Sequence, residues 1–356
     1  MHINDLLQAA VTGGASDLHL KVGSYPMMRV NGTLAAASEQ RRLEKADTEA
    51  FANTLLPVEL REKFERMREV DLAYSVPGLG RFRCNVFQQR GTIGLVLRVI
   101  PTRISSIDEL GLPPVLKRIA QEERGLVLVT GSTGSGKSTT LAALIDHINA
   151  TRSAHIMTIE DPIEYLHRDH RSLVNQREIN VDTQSFSQAL RSALRQDPDV
   201  ILVGEMRDLD TVATALTAAE TGHLILSTLH TGDAVQAIHR IIDVFPPSQQ
   251  TQIKHQLAMS LSAIISQQLM IRSDGKGRVV AVEVLLANLP VRNHIRYDKL
   301  QNLTTEITLG KRQGMIALED SLSRLVRQGM ISADEARVRS RRPDELESQL
   351  RPPVSS

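Results

Sequence analysis

Apolar and polar positions change their rhythm near residue 100 of this 356-residue chain. Before that point, period-2 alternation over residues 17–22, 26–30, 71–76, 81–89 and 92–100 predicts half-buried strands. Helical spacing occupies Ile3 to Ala10 and Asp47 to Arg68. Pro77-Gly78-Leu79-Gly80 and Arg90-Gly91 are turn signals, so the second half of this region reads as an antiparallel meander. Residues 101–114, with Pro101, Pro113 and Pro114, are the linker candidate.

From Gly125 the pattern becomes short apolar runs alternating with helical segments: Leu126 to Thr130, His155 to Ile159, Val200 to Val203, Leu224 to Ser227 and Val279 to Leu286. Buried parallel strands of a doubly wound sheet have this form. Leu141, Leu144, Ile145 and Ile148 recur at i, i+3, i+4, i+7, which predicts a helix after the first of these strands. Leu257, Leu261, Ile264, Ile265 and Leu269 predict a further helix. Beyond Pro290 the chain is helical and charged, with one basic cluster from Arg337 to Arg342. The fold class is α/β, divided into an N-terminal domain 1–100, a linker 101–114, a second domain 115–290, a helical segment 291–345 and a disordered tail 346–356.

Composition narrows the functions open to such a chain. Lys and Arg number 42 against 41 Asp and Glu, a net charge of +1, so no overall field draws the molecule to nucleic acid or an anionic membrane. Aromatic residues make up 3% and Trp is absent, leaving few platforms on which bases could stack. The single cysteine, Cys84, can form neither an internal disulfide nor a Cys-rich zinc site, which fits a reducing compartment. No apolar run reaches 18 residues and the start lacks a basic segment before an apolar one. The expectation is a cytoplasmic protein without membrane insertion.

Gly131-Ser132-Thr133-Gly134-Ser135-Gly136-Lys137-Ser138 satisfies G-x-x-x-x-G-K-[ST] between a strand and a helix. Glycines let successive backbone N–H groups curl around phosphate oxygens, and the helix N-terminus adds its positive dipole end. Lys137 would reach the β- and γ-phosphates of ATP, and Ser138 would ligate Mg²⁺. The bland alternative is a glycine-rich turn with a solvent-facing lysine.

The run Val200 to Val203 is followed by Gly204-Glu205, where the usual strand-ending aspartate is missing. A second acidic set, Glu160-Asp161-Pro162-Ile163-Glu164, ends the strand His155 to Ile159. Hydrolysis needs a base for the attacking water and anionic or water-mediated ligands for the metal. Glu160 is assigned to the water and Glu205 to the metal, and the reverse order stays open. His223 and His230 bracket another strand, His230 just past its carboxyl end, where a histidine could sense the γ-phosphate. A lone histidine is more often structural. Arg81 and Arg83 alternate along one strand and Arg98 lies on the next, which by itself describes a solvated strand face.

These segments together resemble the type II/IV secretion ATPases over nearly the whole chain. Ala15-Ser16-Asp17-Leu18-His19-Leu20 is similar to the family's N-terminal signature, Gly131 to Thr139 to its Walker A, Thr158 to Glu164 to its Asp box, and Asp199 to Asp208 to its atypical Walker B. Thr221-Gly222-His223-Leu224 resembles the lead-in to the next strand, and Ser227-Thr228-Leu229-His230-Thr231 the His box. The resemblance implies a PAS-like N-terminal domain, a RecA-like P-loop ATPase domain with C-terminal helices, and a homohexameric ring with ATP and Mg²⁺ between domains. It places Thr139 and His223 with the nucleotide-binding residues and His230 with the catalytic ones. Arg81 and Arg83 match positions where relatives supply phosphate-neutralising groups.

Within the family, the extension and type II secretion members carry a further N-terminal domain and a four-cysteine zinc insert, features not found here. Pro290-Val291-Arg292-Asn293-His294-Ile295-Arg296-Tyr297 resembles the motif of the members that drive type IV pilus retraction and twitching motility, keeping Arg292, Asn293, Ile295 and Arg296. The implied function is an ATP-driven motor acting on an inner-membrane pilus platform protein at the cytoplasmic face, with no nucleic-acid partner. Alternatives are an accessory or secretion-type ring ATPase and, from another class, a RecA-like nucleic-acid motor.

Overall fold

A computed structural model describes residues 2–30, 32–37, 41–101 and 103–351. It divides into two compact units, one of residues up to 103 together with 164–166, the other of residues 104–163 and the chain from 167 onward.

The first unit is built on a six-stranded antiparallel sheet of β1 (Asp17–Lys21), β2 (Met27–Val30), β3 (Thr33–Ala36), β4 (Glu69–Val76), β5 (Gly80–Gln89) and β6 (Thr92–Ile100), in the order β3-β2-β1-β6-β5-β4. Alternating residues of β5 and β6, among them Phe82, Cys84, Val86, Leu95 and Leu97, pack with Phe51 and Leu55 of a helix and with Ile3 and Leu7 of another. The helical pattern 47–68 is two helices, Lys45–Leu55 and Val58–Met67. Pro57, whose ring cannot continue a helix, stands between them as the N-cap of the second. Strand β3 escaped the sequence reading because it lies at the sheet edge with its residues largely exposed, so no burial period marks it.

The second unit holds a seven-stranded sheet of β7 (Gly125–Thr130), β8 (His155–Glu160), β9 (Leu173–Glu178), β10 (Val200–Val203), β11 (Leu224–Leu229), β12 (Leu261–Ile271) and β13 (Arg278–Leu286), in the order β13-β12-β7-β11-β10-β8-β9. Every pair from β12 to β9 is parallel. Both faces are covered: Leu126 and Leu128 of β7 join one core and Val127 and Val129 the other. That is why these strands read as continuous apolar runs.

Four expectations are corrected. Leu261 to Leu269, expected to extend a helix, is strand β12; the helix Pro247–Ser260 ends just before it, and β-branched Ile264 and Ile265 are buried between β7 and β13. β13, grouped with the parallel strands, runs antiparallel to β12. In the segment 101–114, Ile107 and Leu112 are buried in the second unit's core, so this part is packed chain rather than free linker. Residues 346–350, assigned to the tail, finish a helix Pro343–Leu350 that buries Leu346; residues 352–356 of that tail lie outside the described residues.

Candidate nucleotide-binding and hydrolytic site

Parallel pairing levels the carboxyl ends of four strands. Thr130 is in register with Leu229, Ser227 with Val203, and Val203 with Ile159. The residues that follow therefore share one edge of the sheet: the glycine loop after β7, His230 after β11, Gly204-Glu205 after β10 and Glu160 at the end of β8. Ligands of open α/β sheets gather at this edge.

The loop has the conformation its glycines permit. Gly131, Gly134 and Gly136 have φ of 145°, 80° and 91°. A Cβ on Gly131 would lie 2.5 Å from both the Gln267 carbonyl oxygen and Ser135 Oγ, so a side chain there would displace the loop. Gly136 caps the helix Lys137–Thr151, whose first-turn amides open toward the loop. Lys137 is only 9% exposed, and its ammonium donates to the carbonyls of Gly131 at 2.9 Å and Ser132 at 3.0 Å. It is therefore a buried cation directed back across the loop, unlike a solvated turn lysine. Gln267 on β12 donates to Thr140 Oγ1 at 2.8 Å, tying the helix to the sheet.

Two buried polar atoms beside the loop, Ser135 Oγ and Gln267 Oε1, find no hydrogen-bond partner among the described residues, nor does Thr231 Oγ1 next to His230. Buried polar groups are ordinarily satisfied, so such atoms suit a polar ligand that completes the set. A cavity of about 510 Å³ opens here between the loop residues Gly131–Ser135, Gln267 and the C-terminal residues Val338–Arg341.

Glu205 is held from two sides: its Oε1 lies 2.7 Å from Arg207 Nε and 3.2 Å from His230 Nε2. Burial pushes this carboxyl up, but the Arg207 hydrogen bond and the His230 and Arg207 charges outweigh it and hold the group below its ordinary value. Glu160 Oε1 accepts from Thr158 Oγ1 at 2.6 Å and from Gln176 Nε2 at 3.1 Å, which aims it from the end of β8. The two acidic centres are adjacent. The Gly204 amide donates to the Ile159 carbonyl at 2.8 Å, and a Cβ on Gly204 would lie 3.5 Å from the Glu160 Cα. Thr228 Oγ1 donates to the Gly204 carbonyl at 2.7 Å and Ser227 Oγ to that of Val203 at 2.7 Å, locking β11 and hence His230 to the turn that bears Glu205.

His223 does not join this edge. It precedes β11, its carbonyl accepting from the Gly125 amide at the start of β7 and its Nδ1 lying 3.1 Å from the Ala218 carbonyl oxygen. A six-residue strand, about 20 Å long, separates it from the loop within the same unit. The lead-in to a strand is at the opposite end from the residues that follow it. Arg81 is half-buried and Arg83 exposed on β5 in the first unit, with Arg83 in register with Arg98. Arg98 Nε pairs with Asp17 Oδ1 at 3.0 Å, so this arginine has a structural partner of its own.

Sequence reasoning missed Arg207, Thr158 and Gln176, whose contacts orient the two glutamates. Arg207 stands two residues beyond Glu205, a spacing visible in the chain, but Gln176 lies on an edge strand whose pairing with β8 no local pattern reports. It also missed that the basic C-terminal cluster reaches the loop cavity.

A glycine loop between a strand and a helix, with acidic residues and a histidine lined up at the next strand ends, defines a P-loop nucleotide-binding α/β protein. The chain belongs to the type II/IV secretion system protein family, whose model matches residues 1–292. It is 47% identical over 344 residues, 97% of this chain and 99% of the relative, to the type IV pilus retraction ATPase PilT of Pseudomonas aeruginosa. A twitching motility protein of Neisseria gonorrhoeae is 46% identical over 90% of this chain and 86% of its own. Among solved structures, that of the pilus retraction motor PilT with bound ADP superimposes with a TM-score of 0.92 at 46% identity, covering 98% of this chain and 99% of that one. Among the described residues no helix is long and apolar enough to cross a membrane.

Proposed function

We propose that this protein is an ATP-hydrolysing motor that powers type IV pilus retraction, working as a homohexamer against an inner-membrane platform protein from the cytoplasmic side. The likeness to retraction ATPases over 97% of the chain supports the direction of work. The observation that carries the chemistry is the row of strand ends, where the glycine loop, His230, Glu205 and Glu160 stand in order on neighbouring strands.

In this reading the loop amides and Lys137 hold the phosphates of ATP. Among the described residues no group of three His, Cys, Asp or Glu side chains could hold a metal alone. Mg²⁺ keeps waters and leans on one or two protein oxygens plus substrate phosphates. Ser138 and Glu205 would hold it, and when bound it neutralises phosphate charge. Glu160 orients and deprotonates the attacking water. His230, in contact with Glu205, registers loss of the γ-phosphate through that contact. Arg81 and Arg83, delivered from an N-terminal domain as the ring closes, add positive charge to the transferring phosphoryl group, so chemistry and domain motion are linked.

Deleting the gene tests the direction of work: hyperpiliated cells without twitching support retraction, whereas bald cells overturn it. Turnover by the purified ring, lost in Glu160→Gln, separates a motor from an accessory nucleotide binder. Stimulation by single-stranded DNA would point instead to a nucleic-acid motor.

A further inference from the structure

The basic run Arg337 to Arg342 lies beyond the part of the chain that the family model matches, and nothing in the proposed chemistry uses it. Its end is nevertheless built into the loop cavity. Arg339 and Arg341 line that cavity opposite Ser132–Ser135, together with Gln267. Arg341 donates through Nη2 to the Gly232 carbonyl, and its Nη1 stands 3.5 Å from Asp233 Oδ2 and 3.6 Å from Glu283 Oε2. Both carboxylates are well shielded, with side chains 16% and 11% exposed. Gly232 and Asp233 are the second and third residues after His230, and Asp233 caps the helix Ala234–Asp243 by accepting from the Gln236 amide.

The turn carrying Arg341 is itself fixed. Glu319, 1% exposed, accepts through Oε1 from Ser340 Oγ and from the amides of Arg341 and Arg342, and through Oε2 from the Arg342 guanidinium at 2.7 Å. Arg341 is therefore an oriented group held between two carboxylates and a phosphate-binding loop.

We propose that the Ser340–Arg342 turn is a wall of the nucleotide site and that Arg341 couples nucleotide binding to docking of the C-terminal helices. The inference rests on reading the glycine loop as the nucleotide site. Its physical basis is charge. A nucleotide's phosphates bring several negative charges to a cavity lined by Gly232 with Asp233 next to it, and Arg341 offsets the Asp233 carboxylate at a place where water screens it poorly, while burial pushes the Glu283 carboxyl up toward its neutral form. Phosphates in the loop strengthen the need for the guanidinium, and a docked turn strengthens phosphate binding, because coupling between two events is reciprocal. Arg341 is thus a positioning residue: it holds the segment following His230 and compensates its charge, with the Gly131 loop across the cavity from it.

The test uses the full-length protein and ADP as the probe. Arg341→Gln weakens ADP binding about tenfold. Arg341→Lys, which keeps the charge but loses the guanidinium fork, binds ADP more tightly than Arg341→Gln. Adding Asp233→Asn to Arg341→Gln restores most of the affinity, because Asn caps a helix as well as Asp does and removes the uncompensated charge; simple damage to the fold would not be repaired this way. Hydrogen exchange is the second readout: ADP slows amide exchange across residues 343–350 in wild type and leaves it unchanged in Arg341→Gln. Wild-type ADP affinity in Arg341→Gln, no rescue by Asp233→Asn, or exchange in this helix indifferent to ADP in wild type overturns the proposal. Lys137→Ala keeps the two readings apart: if it binds ADP as wild type does, the nucleotide-site reading itself fails.

Discussion

The Glu205 carboxylate and the His230 imidazole meet at 3.2 Å, Oε1 to Nε2, across the ends of two neighbouring parallel strands, and Arg207 reaches the same oxygen at 2.7 Å. Glu205 is thereby held ionised against the burial that would favour its protonation. A carboxyl with a depressed folded pKa contributes stability above its unfolded pKa and loses it as pH falls through the folded value. Arg207→Ala leaves burial less opposed, so the acid limb of the pH–rate profile for ATP hydrolysis moves to higher pH. An acid limb identical in the variant and the wild type would show that Glu205 does not set it.

Lys137→Ala removes the buried cation that spans the carbonyls of Gly131 and Ser132. Turnover is expected to fall by about 10²-fold or more, since a preorganised positive group at the transferring phosphate is lost. Thermal unfolding followed beside the kinetics distinguishes this from misfolding. A variant with unchanged turnover refutes the loop's assignment.

Glu160 and Glu205 are separable by what each variant retains. Glu160→Gln preserves the acceptor that Thr158 and Gln176 donate to while removing the base, so kcat drops about 10²–10⁴-fold with ATP affinity kept. Glu205→Gln instead raises the Mg²⁺ concentration needed for half-maximal rate. If the two phenotypes are exchanged, the roles are exchanged.

Replacing Arg81 and Arg83 together by Ala removes two cations from β5, one half-buried and one exposed. Loss of arginines delivered to a transferring phosphoryl group lowers kcat by about 10³-fold while nucleotide binding persists. Single-turnover rates beside equilibrium ADP binding make the comparison, and equal losses in both would assign these arginines to binding alone.

Glu319, buried beneath the Ser340–Arg342 turn, is held below its ordinary pKa: burial works against ionisation, but its backbone hydrogen bonds and the Arg342 guanidinium prevail. Its contribution is therefore present above the ordinary carboxylate range and fades as pH falls below it. Glu319→Gln removes the buried partner of Arg342, leaving it, among the described residues, only Glu345 at 2.5 Å, and weakens C-terminal docking at neutral pH. Limited proteolysis of residues 340–351 across a pH series reads this directly. Equal resistance in wild type and variant would remove Glu319 from that role.

Local chemistry was legible in the chain. The loop Gly131–Ser138 declares itself because phosphate binding by backbone amides requires glycines at fixed spacing before a helix, and the apolar runs of β7, β10 and β11 declare burial on both faces. What depends on distant pairing was not. Leu261 to Leu269 carries a helical apolar spacing, yet its place between β7 and β13 makes it a strand, because hydrogen-bonding neighbours in β7, about 135 residues away in sequence, override a local period. The order of the chain already put His230 past the carboxyl end of its strand, and the parallel pairing of β11 with β7 brings that end level with the glycine loop and leaves His223 at the far end. Sequence alone therefore marked the loop expected to hold phosphates. Tertiary structure decided which residues share the loop's edge of the sheet, Glu160, Glu205 and His230, and which C-terminal arginine lines the loop cavity, because strand pairing and packing bring together groups far apart along the chain.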